Sequence, residues 1–369
     1  MSERFDVIVV GGGAMGTAAA RQLALRGRRT LLLERHTFGH ALGSSGGPTR
    51  IFRYVYDDPG YVRMARAARE PWDELQDASG EELLRVTGGV DVDRGRAAID
   101  ALAEVGVPHE VLSGSEARER WPALRLPDGA EVLYQAEGGV VRAAETVVAQ
   151  ARLAAEAGAT VMEEAVATAV EPDGEEVSVT TGAGDRFGAQ VAVVSAGAWA
   201  APLLRTAGLD LPLVPTQEQV SYFTLAAPEP LPTLIDWGVD RATPPYMVPD
   251  PWDVGAFKVG LHHSGRTVDA EAPHHPPDAD RLDRAASYVD ARLAPSRRLD
   301  RIDTCLYTNT PDEDFVLDRV GPLVVASPCS GHGFKFVPLM GLAIADLATG
   351  APPPFPIERF RLDRPALRT

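Results

Sequence analysis

The stretch FDVIVVGGGAMGTAAARQLALRGRRTLLLER, beginning at Phe5, constrains the fold more than any other part of the chain. An apolar run, a glycine turn, an amphipathic helix ending near Gly27 and a second apolar run make one βαβ unit of a doubly wound sheet. Gly11, Gly13 and Gly16 have the G-x-G-x-x-G spacing between strand and helix, with Ala14 and Met15 in the helix's first turn. Glycines there permit a tight turn and close approach of a pyrophosphate, which the helix N-terminus stabilises. Glu34 and Arg35 end the second strand, where a carboxylate can bind ribose hydroxyls. The glycine pattern alone is weak; strand, helix and acid in register favour a dinucleotide site over a merely structural turn.

At 369 residues the chain has room for two packed units. Apolar residues at 45% and charged residues at 24%, interspersed, are those of a folded globular protein. The net charge of −16 argues against nucleic acid and against anionic membrane as partners, since both reward basic patches. It does not exclude a small anionic substrate held by a local pair of cations. The amino terminus lacks the pattern of a secretory signal. The apolar stretch from Val191 to Leu204 is too short to span a bilayer and contains Gly197 and Pro202. Two cysteines make no disulfide framework, so a cytoplasmic, reducing compartment is expected.

The pattern crosses between two units. After the first βαβ unit come a small-residue loop, GHALGSSGGPTR, and a helical pattern from Tyr61 to Ala78. Residues 82–137 alternate as sheet in a second unit, then a helix over Ala143–Ala157 and a buried strand over Val191–Ser195 return to the first. Residues 213–302 read as strands with one helix, Asp280–Leu293, and a last helix runs from Phe334 to Thr349. The expected division is 1–81, 138–212 and 303–369 for the dinucleotide domain, with 82–137 and 213–302 for the substrate domain.

The glycine fingerprint does not separate a nicotinamide from a flavin dinucleotide. The segment SGHGFKFVPLMGLAIADLATG bears on this, since Gly331 and Gly333 open a helix whose free N–H groups can stabilise charge on a reduced flavin. The motifs FDVIVVGGGAMG, TRIFR, GGVVRA, VVSAGAW, FKVGLHH, CLYTNTPDEDFVLD and SGHGFKF, in that order over nearly the whole chain, resemble the monomeric sarcosine oxidase and N-methyltryptophan oxidase group of the D-amino acid oxidase-like flavoproteins. ERHTF and FKFVPL are also similar to a flavoenzyme that oxidises a cyclic imine-type substrate in nucleoside antibiotic biosynthesis. The resemblance implies an α/β fold: a Rossmann-like FAD-binding domain with a second α+β substrate domain on an antiparallel or mixed sheet.

It also implies roles. Cys305 stands where the family carries FAD as an 8α-S-cysteinyl thioether; on composition alone a free cysteine is more often a small buried hydrophobe. Cys329 has no such match and reads as a core thiol. Arg53 and Lys335 match the substrate-carboxylate residues, a planar fork beside a point charge. Arg50 matches an arginine against the flavin. Lys258 matches the lysine that activates dioxygen, although a lysine in a strand also commonly guards an edge. Tyr307, His262 and, after a one-residue gap, Tyr246 match pocket positions, and Asp58 takes the place of a pocket glutamate. Ser44, Thr49, Val166, Ala196, Gly197, Trp199, His332 and Phe334 complete the expected cofactor contacts. In place of the family's histidine pair this chain has SSGG, Ser44–Gly47.

The histidine pairs His262, His263 and His274, His275 lack metal-ligand spacing, and Pro273, Pro276 and Pro277 mark a surface loop, so no metal is expected. The implied activity is oxidation of a secondary α-amino acid, N-methylated or cyclic, to an imine with O2 reduced to H2O2, by a monomer. The alternatives are a flavin dehydrogenase, a 2-hydroxy acid oxidase, or a non-catalytic dinucleotide-binding subunit.

Overall fold

Strand Arg4–Val10 lies in the parallel core of a mixed sheet, eight-stranded among the described residues, between Thr30–Leu33 and Arg186–Val194. A computed structural model describes residues 3–272, 274–293 and 297–368; Pro273 lies outside them. Thr160–Met162 adds to one side, and Leu323–Ser327 to the other, both in parallel. Residues 7–10, 30–33, 191–194 and 323–327 are buried on both faces, which is why they read as unbroken apolar runs rather than alternation. Their period of two still sorts the core: Val7, Val9, Leu32 and Val193 face helices Ala14–Leu25, Ala143–Glu156 and Val337–Thr349. Ile8, Val10, Leu31 and Val194 face helix Ala200–Thr206.

Among the described residues a second, nine-stranded sheet is organised by strand Val214–Leu225, which pairs antiparallel with Ala256–Leu261 and with Arg297–Asn309. Strand Thr233–Asp236 pairs in parallel with Gly89–Val92, joining the segments around 82–137 and 213–302 into one sheet. Thr49–Phe52, Gly139–Arg142 and Leu84–Val86 form a separate three-stranded antiparallel sheet.

Three expectations shift. The helical pattern at 61–78 is two helices, Pro59–Ala67 and Arg69–Ser79, because Pro71 has no N–H to offer the carbonyl of Ala67. The last helix begins with a 3-10 turn at Phe334–Phe336 before the α-helix from Val337. The division drawn between 302 and 303 falls inside strand Arg297–Asn309, whose pairing with Val214–Leu225 carries the second sheet as far as Asn309.

Candidate active site

Two adjoining cavities follow from this architecture. The first, about 350 Å³, opens at the carboxyl ends of the parallel strands and is lined by Gly11, Gly13, Ala14, Met15, Glu34, Arg35, Ser44, Val166, Ala196, Gly197, Trp199 and Cys329. Gly11 has φ +102°, and a Cβ there would stand 2.6 Å from the carbonyl oxygen of Ser195. The first turn of helix Ala14–Leu25 presents its N–H groups here, and Ala14 N–H donates to Ser45 Oγ at 3.0 Å. Glu34 accepts from the N–H groups of Gly12 and His36, each at 2.7 Å. Burial pushes its pKa up, but His40 and those two amides outweigh burial and hold the carboxyl below its usual range. Arg35 stacks on Trp199 with its guanidinium carbon 4.6 Å from the ring. Gly-lined turn, helix N-terminus and buried acid together fit the pyrophosphate and ribose of FAD.

Gly16 lines neither cavity; a Cβ there would meet the Gly11 carbonyl oxygen at 1.8 Å, so its role is close packing of helix on strand. Gly333 is likewise packed against the carbonyl of Pro328. Cys329, expected in the core, instead lines the first cavity, 3.9 Å from Ser44 Oγ.

The second cavity, about 130 Å³, collects side chains from the nine-stranded and the three-stranded sheets. Cys305 and Tyr307 come from one face of Arg297–Asn309, Lys258 from Ala256–Leu261 with His262 just beyond, Tyr246 from Pro245–Pro249, and Arg50 from Thr49–Phe52. Arg53, Gly331, His332, Phe334 and Lys335 complete it. Gly331, at φ +75°, also leaves room for Tyr307 and His262, whose atoms a Cβ would approach to 2.4 and 2.7 Å. Against Arg50, Arg53, Lys258 and Lys335 the lining offers one carboxylate, Asp303, so a strongly acidic chain builds a cationic pocket.

Each cation has a distinct anchor. Arg50 donates to the carbonyls of Ser44 at 3.0 Å and Gly46 at 2.6 Å, holding the loop above the cofactor cleft. Lys258, 4% exposed, donates to the carbonyl of Thr49, a buried residue. Lys335, also 4% exposed, donates to Tyr56 Oη at 2.8 Å and to the carbonyl of His332 at 2.5 Å, while its own carbonyl accepts from Trp72 Nε1. Arg53 stacks on Tyr56 at 4.7 Å, donates to the carbonyl of Val55, and stands 3.9 Å from buried Asp91. Burial, then Arg50, lowers the pKa of Lys258 well below the lysine range; burial, then Arg53, does the same to Lys335. Burial also pushes the Cys305 thiol up, against the pull of Arg50 and Lys258. His262 Nδ1 lies 3.3 Å from Tyr307 Oη, and burial keeps His262 and His332 neutral well below the ordinary histidine pKa.

Asp58 is not in the pocket. It caps helix Pro59–Ala67 by accepting from Gly60 N–H and pairs with Arg359. The residues sequence reasoning missed are Tyr56, Asp91, Tyr222 and Trp237. Of these, Asp91 had a signal: an acid at an inward position of the strand GVDV, buried throughout.

Comparison with known proteins gives the same picture. The profile of the family described as FAD dependent oxidoreductase matches residues 6–347. Monomeric sarcosine oxidase of Streptomyces avermitilis is 34% identical over 98% of this chain and 97% of its own. Human peroxisomal sarcosine oxidase is 31% identical over 98% of this chain and 96% of its own. Among solved structures, NikD, an unusual amino acid oxidase essential for nikkomycin biosynthesis, superposes with a TM-score of 0.87 at 28% identity, covering 98% of each chain. A dinucleotide cleft meeting a buried cationic pocket, together with these full-length matches, shows that the chain belongs to the FAD dependent oxidoreductase family.

Proposed function

We propose that the chain oxidises secondary α-amino acids, N-methylated or cyclic, at the C–H bond next to nitrogen, and returns the electrons to O2 as H2O2. The observation that carries this reading is the pair Arg53 and Lys335, two buried cations in the one cavity that also holds Lys258 and Cys305. A guanidinium and an ammonium side by side match a carboxylate, and their burial excludes the water that would weaken the contact.

Bound FAD supplies the two-electron acceptor. The protein's own groups do the rest. Arg53 and Lys335 hold the substrate carboxylate and so orient the C–H bond, which is the largest contribution expected of them. Tyr56 and the His332 carbonyl aim the Lys335 ammonium. The neutral imidazole of His262 adds no charge to repel an amine. Lys258 places a cation where dioxygen gains negative charge. Cys305 carries the cofactor through a thioether, a reading supported by its inward position beside Arg50 and Lys258 and by the C-x-Y-T motif. SSGG, Ser44–Gly47, stands in place of the family's histidine pair in the loop that Arg50 holds. The chain works as a monomer, the word that names its Streptomyces relative.

The test is anaerobic mixing of the yellow holoenzyme with secondary α-amino acids, followed by admission of air. Bleaching of the flavin band, its fast return and stoichiometric H2O2 are expected. Bleaching by 2-hydroxy acids alone would replace the substrate reading, and a return over many minutes would make the protein a dehydrogenase.

A further inference from the structure

Trp237 lines the second cavity directly after strand Thr233–Asp236, and three contacts fix it. Its backbone N–H donates to the carbonyl of Val92 at 2.9 Å. Its indole N–H donates to Asp91 Oδ1 at 3.0 Å. The guanidinium carbon of Arg94 lies 3.9 Å from the ring, and Arg94 is itself held by Asp57 at 2.8 Å. An indole clamped at its edge and across one face has little freedom to turn, so its remaining surface is a rigid apolar plane.

The same Asp91, 1% exposed, stands 3.9 Å from Arg53. One carboxylate therefore sets the position of both the carboxylate-binding cation and the aromatic wall. Ile235, two residues before Trp237, and Val220 and Val248 give the cavity further apolar lining. A methylated glycine would leave such a wall largely untouched, whereas a ring carried by the side chain or closed onto the nitrogen would cover it.

Resting on the oxidase reading above, we infer that Trp237 is the specificity-determining wall of the substrate cavity, that Asp91 is its positioning residue, and that the substrate is a secondary α-amino acid carrying a ring, either in its side chain or closed onto its nitrogen. Asp91 acts through Trp237 and Arg53 and does not line the cavity.

The experiment measures kcat/KM of the holoenzyme for L-pipecolate, N-methyl-L-tryptophan and sarcosine. The wild type should favour at least one ring substrate over sarcosine by on the order of tenfold or more. Trp237→Ala should lower that ratio by about tenfold, chiefly through KM, and Trp237→Phe by less. Asp91→Asn keeps an acceptor for the indole N–H and should retain the ratio, while Asp91→Ala should lose it. A purely structural Asp91 would lower all three substrates alike and leave the ratio where it was, which overturns its role. For variants with poor turnover, the binding of pyrrole-2-carboxylate against acetate is read from flavin difference spectra, and an unchanged ratio of their Kd values in Trp237→Ala overturns the wall. A wild type that turns over sarcosine as well as the ring substrates overturns this inference alone. A wild type whose flavin is bleached by no secondary amino acid overturns the proposed function and this inference with it.

Discussion

The ammonium of Lys258 donates to the carbonyl oxygen of Thr49 at 2.5 Å, tying the nine-stranded sheet to the three-stranded sheet that carries Arg50. Lys258 thus has one fixed proton donor direction and a charge that burial makes costly. Replacing it with methionine should slow flavin reoxidation by roughly 100-fold, the loss typical of one preorganised charge, while reduction by substrate stays fast. Because only the ammonium form supplies the charge, and its pKa is lowered, the wild-type oxidative rate should fall as pH rises through a value well below the lysine range. Stopped-flow mixing of reduced enzyme with O2 across pH checks both, and a flat profile in the methionine variant is the expected signature.

Lys335→Met removes one of the two cations proposed to hold the substrate carboxylate. A charge-assisted hydrogen bond of about 1.5–3 kcal/mol is lost, so KM should rise by roughly 10- to 100-fold with FAD still bound. An unchanged KM in steady-state assays would remove Lys335 from the carboxylate site.

Gly16→Ala sets a methyl 1.8 Å from the Gly11 carbonyl oxygen and 2.7 Å from Ser195 Oγ. The helix must move off the strand, at a cost of about 1–3 kcal/mol, and the turn that cradles the pyrophosphate moves with it. Urea unfolding should show the loss, and the purified variant should contain little FAD.

Acid precipitation should leave the yellow colour with the protein pellet. The Cys305→Ser variant should release it to the supernatant. Colour in the wild-type supernatant would mean that FAD is held without the thioether.

Asp58→Ala should leave KM untouched and reduce stability by about 1 kcal/mol, the usual worth of a helix cap. Although burial pushes the Asp58 carboxyl up, Arg359 and the Gly60 amide outweigh it, and the folded-state pKa is lowered. A lowered carboxyl pKa contributes stability above the unfolded value and loses it as pH falls through the folded one. The difference between wild type and variant should therefore shrink on acidification, as followed by thermal melts.

The parallel core was legible because strands covered on both faces leave continuous apolar runs, and the glycine fingerprint lies between two of them. Arg53, Lys258, Cys305 and Lys335 were legible through their flanking motifs, and all four line one cavity. The contact of Asp91 with Trp237 was not, although an acid in the apolar strand GVDV marked Asp91 itself, because what brings the two together is the parallel pairing of Thr233–Asp236 with Gly89–Val92, a contact between distant segments that no local pattern announces. Asp58 was misplaced although a local signal existed: an aspartate directly before Pro59 is the pattern of a helix cap followed by proline in the first turn. The two helices at 59–79 were merged because their apolar spacing continues across Ala68, while Pro71 interrupts only the hydrogen bonding.

Strand Arg297–Asn309 belongs by its pairing to the nine-stranded sheet, yet its Leu306 N–H donates to the carbonyl of Gly43 and its Thr308 carbonyl accepts from Ser330 N–H. Cys305 directly precedes the first of those two stitches. The two halves of the molecule are consequently not interchangeable modules: a chimera that imported the nine-stranded sheet of a relative would import that relative's residue at 305 as well, so the position proposed to attach the cofactor travels with the sheet that lines the substrate cavity.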